Sequence, residues 1–108
     1  MLLAAIGSSR PKRLLTAPLF FLKARHAVAQ ARAAQGCVSA AVFPKAGWFF
    51  SLTVWESPAD MKRFASSGAH GRIVAEYTRY AAIDRFHHFQ CHEVPDHDAA
   101  YRAWVAAA

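Results

Sequence analysis

The sequence predicts an α+β domain in which one antiparallel sheet carries helices on one face. Three observations predict it. The 108 residues are 55% hydrophobic and 19% charged, which supports one buried core and leaves no length for a second domain. The hydrophobic pattern alternates between strand and helix periods in the order β-α-β-β-α-β. The run Trp48–Trp55 has two faces of different chemistry, the mark of a strand with a core on one side. The same composition excludes a disordered chain and a disulfide-dependent miniprotein.

The first strand is expected over residues 2–6, with Gly7-Ser8-Ser9-Arg10-Pro11 breaking it and a basic loop reaching Pro18. Residues 19–35 are rich in Ala, Lys, Arg and Gln with no internal Gly or Pro, and so predict a helix. Phe20, Ala24, Ala27, Val28 and Ala31 fall on one face of it, and Lys23, His26 and Gln30 on another. Gly36 stands where a glycine ends a helix. Residues 37–43 and 48–55 read as two strands of a hairpin joined by the turn Pro44-Lys45-Ala46-Gly47. Trp48, Phe50, Leu52 and Val54 suit burial under helices. Phe49, Ser51, Thr53 and Trp55 mix hydroxyls with rings on the opposite face, which suits a cavity or an interface.

Ser57-Pro58-Ala59-Asp60 is a helix start, with Ser as N-cap, Pro in the first helical position and an acid in the first turn. Met61, Phe64 and Ala65 follow at core spacing. Ser66-Ser67-Gly68 interrupts the helix, which resumes through Ile73, Val74, Tyr77 and Tyr80. Residues 86–94 read as the last strand, with His87 and Phe89 on one face and Phe86 and His88 on the other. Pro95 stops it, and Asp96 caps a short helix over 97–106 carrying Tyr101 and Trp104. This order is the split βαβ, ferredoxin-like pattern. The rest of the chain is too short to cover the second sheet face, so that face is expected to be covered by a second copy.

The segment from Phe50 to His70, FSLTVWESPADMKRFASSGAH, resembles the T-x-S/T-x-W-x-S-x-x-x-M-x-x-F-x-x-S-G-x-H stretch of the dimeric α/β-barrel superfamily. Its spheroidene-monooxygenase-like and antibiotic-biosynthesis-monooxygenase-like members are the nearest in character. The helix ending at Gln35-Gly36 and the aromatic last strand fit as well, so the resemblance spans about residues 19–92. It implies a homodimer whose two sheets face each other around a cavity. It also implies monooxygenase-like chemistry on a hydrophobic or aromatic small molecule, with haem or with no cofactor. Haem-degrading relatives bind iron through a His on the second helix, downstream of a strand-end Trp. The matching positions are His70 and Trp55. The competing expectation is a non-catalytic homodimer that binds a small apolar ligand or a protein partner.

The residues themselves make His70 the catalytic candidate, against the alternative that it packs at the helix break and bonds a backbone carbonyl. A ring at the start of a helical segment is held neutral by the positive helix end, and a neutral imidazole can accept a proton or ligate iron. Phe49, Ser51, Thr53 and Trp55 are the candidate ligand-binding face. His88 and His92 lie about 13 Å apart along a strand, too far for one metal ion. No Ser-His-Asp, Cys-His or paired-carboxylate arrangement is legible.

The formal charge is +6, from 13 Lys and Arg against 7 Asp and Glu. The basic stretches are short and no nucleic-acid motif accompanies them, so an RNA-binding domain of the same topology ranks last and no nucleic-acid partner is expected. Cys37 and Cys91 form no CxxC pair and are expected as reduced thiols in a cytoplasmic protein. Residues 2–6 are too short for a signal peptide, and no run approaches the ~20 apolar residues of a membrane span.

Overall fold

The computed structural model describes residues Met1–Ala108. Four strands form one sheet: β1 Leu2–Pro11, β2 Cys37–Lys45, β3 Trp48–Trp55 and β4 Ala81–Cys91. The helices are α1 Ala17–Ala33, α2 Pro58–Ala65, α3 Gly68–Thr78 and α4 His97–Ala106, with a 3-10 turn at Leu14–Thr16 before α1. The strand order is β2-β3-β1-β4 and every neighbouring pair is antiparallel. This is the expected ferredoxin-like arrangement, in which two split βαβ units interleave.

The first strand is longer than expected. Gly7-Ser8-Ser9 does not end β1, because the strand is central and bonded on both sides, to β3 and to β4. Two ladders outweigh the weak strand preference of Gly and Ser. The cost appears as a register shift between Gly7 and Ser9 against β4. Gly7 also serves a close approach: a Cβ there would lie 2.2 Å from the Phe86 ring, which crosses β1 at this point.

The last strand also begins earlier than expected, at Ala81, because Ala81, Ala82 and Ile83 pair with Pro11, Arg10 and Ser9. It ends at Cys91, three residues short of the expected Val94. The hairpin turn is tighter than expected. Lys45 pairs with Trp48, leaving Ala46 (φ 53°) and Gly47 (φ 81°) as a two-residue turn in the left-handed region. Such a turn matches the twist of the strands it joins.

The starts of α2 and α4 are as expected, whereas α1 begins at Ala17, two residues before the expected 19, with Pro18 in its first turn, and ends at Ala33. Ser57 Oγ accepts from Asp60 N at 3.2 Å, and Asp96 caps α4 by accepting from Ala99 N at 2.7 Å. Ser67 begins a new helix after the break, its Oγ accepting from His70 N at 3.1 Å.

The sheet faces carry different loads. Paired residues share a face, so Ala4, Ile6, Leu52, Val54, His87 and Phe89 lie together, and Ala5, Gly7, Ser51, Thr53, Phe86 and His88 lie on the other side. The first face builds the core. Ala4, Ile6, Phe43, Phe50, Leu52 and Val54 are buried there with Ala100 of α4. Phe50 is fully buried and meets Tyr101 and Trp104 edge-on at 5.4 and 4.9 Å. The expectation that the chain is too short to cover both sheet faces is therefore corrected at this face. The short α4 lies on it, and its two rings supply more area than its length indicates. Helices α1, α2 and α3 lie over the opposite face.

Candidate functional site

A cavity of about 410 Å³ lies between the sheet and helices α1, α2 and α3, inside a single chain. The resemblance implies a cavity between the two facing sheets of a dimer; this one lies within a single chain, on the helical side of the sheet. Its size has a simple origin. The α1 wall is Ala24, Ala27, Val28 and Ala31, and the facing strand offers Ala5, Gly7 and Ser9. Small side chains on both walls leave space that larger ones would fill. Met61 and Phe64 of α2, and Ile73, Val74 and Tyr77 of α3, close the rest.

Ser51, Thr53, Trp55 and His70 all line this cavity. Phe49 does not. It shares their strand face but is packed against Phe20 and Phe21 of α1, with ring centroids at 5.6 and 5.0 Å. Trp55 is buried and donates from Nε1 to Thr53 Oγ1 at 3.0 Å, so both polar groups are satisfied within the wall. A row of rings then leads to the imidazole. Trp55 packs on Phe64 at 5.0 Å, and Phe64 on His70 at 4.5 Å. The helix break at Ser66-Ser67-Gly68 sets this geometry, because it lets α3 start in a new direction with His70 in its first turn.

His70 Nδ1 is buried and has no hydrogen-bond partner. An imidazole nitrogen without a partner costs free energy unless something in the cavity meets it. Burial pushes its pKa below the ordinary value of 6.5, so the ring is neutral at pH 7. The direction agrees with the sequence reading, and desolvation is the cause.

A second polar group was not legible in the sequence. Ser9 and Tyr77 share a short hydroxyl–hydroxyl bond, and both line the cavity. Burial raises the Tyr77 pKa, while the Ser9 bond acts against that rise, so the phenol stays protonated and can donate. The only signal for Ser9 is its period-2 relation to Ala5 and Gly7, hidden by the apparent chain break.

The residues do not fit a haem. A ligating His needs its other ring nitrogen oriented by a carbonyl or carboxylate, and the buried Nδ1 of His70 has neither. Two propionates need cationic partners, and no Lys or Arg lines the cavity. No group of three His, Cys, Asp or Glu is placed to hold a metal ion. His87 and His88 point to opposite sheet faces. Cys37 and Cys91 are both free, and burial raises both thiol pKa values, so neither is an activated nucleophile.

No protein-family model matches the chain, and no curated protein matches it. Solved structures do. Rv0793 from Mycobacterium tuberculosis superposes with a TM-score of 0.74 at 14% identity, over 89% of this chain and 100% of that one. SnoaB from Streptomyces nogalater, a cofactor-independent oxygenase, gives 0.74 at 8% identity over 88% and 97%. A proposed antibiotic biosynthesis monooxygenase from Caulobacter crescentus gives 0.74 at 12% identity over 85% and 91%. Identities this low establish shared architecture only. The chain shares with these structures its ferredoxin-like α+β fold, a four-stranded antiparallel sheet with helices on its faces.

Proposed function

We propose that the protein is a monooxygenase-like enzyme that oxidises a hydrophobic, ring-bearing small molecule in the cavity without a cofactor. One observation carries this reading: the neutral imidazole of His70, its Nδ1 buried and unpartnered, stands in the wall of a largely apolar cavity. The oxygenase named among the similar structures is consistent with it.

The chemistry follows from what the walls offer. An apolar cavity binds the rings, and the Tyr77 hydroxyl donates to a substrate carbonyl oxygen, which makes a ring CH2 conjugated with that carbonyl through the rings more acidic. The neutral His70 imidazole takes one proton from that CH2. The carbanion supplies the electrons to O2, a C–O bond forms, and His70 returns its proton to the distal oxygen. Loss of the second C–H proton breaks the O–O bond. The CH2 becomes C=O and one water leaves, so substrate plus O2 accounts for every atom.

Anthrone, a three-ring ketone with one acidified CH2, is the probe. Catalysed uptake of one O2 per anthraquinone formed, unchanged by a chelator, is the expected result. Saturable binding of anthrone with no uptake above the spontaneous rate leaves the protein as a binding module.

The same reading makes the protein a homodimer of the cytoplasm, where two free thiols are stable. Phe86 and Val105, 57% and 46% exposed, are apolar surface that a second copy would cover. Light scattering is expected to return twice the 11.9 kDa chain mass at micromolar concentration, and a monomer mass refutes the dimer.

A further inference from the structure

Charge is divided sharply along this chain. All seven Asp and Glu lie at or beyond Glu56, while seven of the thirteen Lys and Arg precede it. Residues 1–55 thus carry +7 and the remainder −1. Part of that positive half converges at one end of the molecule, where β1 runs into α1. Arg10, Lys12 and Arg13 are exposed there, and Arg25 is exposed two turns into α1. None of them joins an ion pair. Glu76 is engaged with Lys23 and Arg79, and Asp98 with Lys45, while Asp84, two residues along β4 from the Ala82 that pairs with Arg10, is exposed and joins no ion pair.

The tip between these cations is apolar. Leu14 and Leu15 are 93% and 91% exposed, and Leu19, Phe21 and Leu22 on the first turns of α1 are also exposed. Two adjacent leucines held almost wholly in water lose burial that any apolar contact would recover. The loop that presents them is fixed at its base. Lys12 N donates to Tyr80 O at 2.9 Å, and the Arg10 guanidinium stacks over the Trp48 ring at 4.0 Å.

We infer that this tip docks the protein on an anionic lipid surface, with Leu14 and Leu15 inserted among the acyl chains and Arg10, Lys12, Arg13 and Arg25 against the headgroups. Apolar residues ringed by cations are the pattern of interfacial membrane contact. Charge complementarity selects the lipid over a second copy of this chain, since two such tips would repel each other. No helix is long and apolar enough to cross a membrane, so the contact lies at the surface. Helix α1 joins the tip to the cavity, its start exposed at the tip and its Ala24, Ala27 and Ala31 in the cavity wall. A lipid-soluble ligand would meet the protein at that junction. The inference rests on the tip alone and stands whether or not the cavity is catalytic.

Co-flotation with vesicles tests it. The wild-type protein is expected to float with phosphatidylcholine vesicles containing phosphatidylglycerol and to remain behind with phosphatidylcholine alone. Raising salt from about 0.1 M to about 1 M, where screening shortens to about 3 Å, is expected to release most of it. Leu14→Asp with Leu15→Asp is expected to weaken flotation about a hundredfold, about tenfold per leucine. Lys12→Glu with Arg13→Glu is expected to abolish the preference for the anionic lipid. Both pairs are exposed, so melting temperatures should match the wild type. Wild-type protein that never floats, or a leucine variant that floats equally well, overturns the inference. So does a leucine variant that turns a dimer into a monomer, which assigns the tip to a second copy.

Discussion

Replacing His70 with Ala is expected to lower turnover of anthrone by about 10²–10⁴-fold, the usual worth of a positioned general base. Stability should change little. The Ser67 cap uses the backbone N–H of residue 70, which the substitution keeps. The imidazole has no hydrogen-bonded partner to orphan, since its Nδ1 is unbonded, and only its contact with Phe64 is lost. The melting temperature should therefore move by less than about 5 °C. Stability also gains a distinct pH signature. Because burial holds the folded pKa of His70 below 6.5, the folded state binds fewer protons than the unfolded chain in that window. Stability is full above 6.5 and falls as pH drops through the lowered folded value, and this part of the fall should be missing in the Ala variant. A stable variant with unchanged turnover removes His70 from the chemistry.

Phe50→Ala is expected to have the largest effect on stability. The ring is fully buried, holds the sheet to α4 through Tyr101 and Trp104, and stacks on Phe43 of β2. Removing a buried Phe costs about 3–5 kcal/mol, a large share of the ~5–15 kcal/mol of a domain this size. Thermal unfolding should fall by about 15 °C or more. A fall below about 5 °C would mean that α4 does not hold the second sheet face.

The two substitutions separate what the sequence could reveal from what it could not. Helix starts were legible because capping is local: Ser57, Asp60 and Asp96 bond within their own turns. The β3 strand and its two faces were legible because alternation is local too. The extent of β1 was not. Gly7 and Ser8 belong to a strand only because β3 and β4 flank them, and those partners lie more than 40 residues away. The side of the sheet that holds the cavity was also hidden. It is decided by α4 lying over Phe50, Leu52 and Val54, and ten residues after Asp96 do not announce where they dock.

Of the candidate site, His70, Trp55, Thr53 and Ser51 were identified by residue type and strand period, and one cavity gathers them. Phe49 obeys the same period yet lies under α1, because a strand face runs past the end of a cavity that helices bound. Tyr77 falls on the predicted second helix, and nothing local points its hydroxyl at Ser9. The cavity itself comes from missing volume at Ala5, Gly7, Ala24, Ala27 and Ala31, where the sequence shows only a helix rich in alanine and an apparent chain break at Gly7.

The central claim is that His70 is a neutral imidazole opening on the cavity inside one chain. An NMR titration of the His70 ring nitrogens, with and without naphthol as an apolar ring ligand, tests it most directly. The account predicts a pKa below 6.5 in the free protein and ring-nitrogen shifts that move when naphthol is added. A pKa at or above 6.5 with a ring that does not respond to the ligand would contradict it.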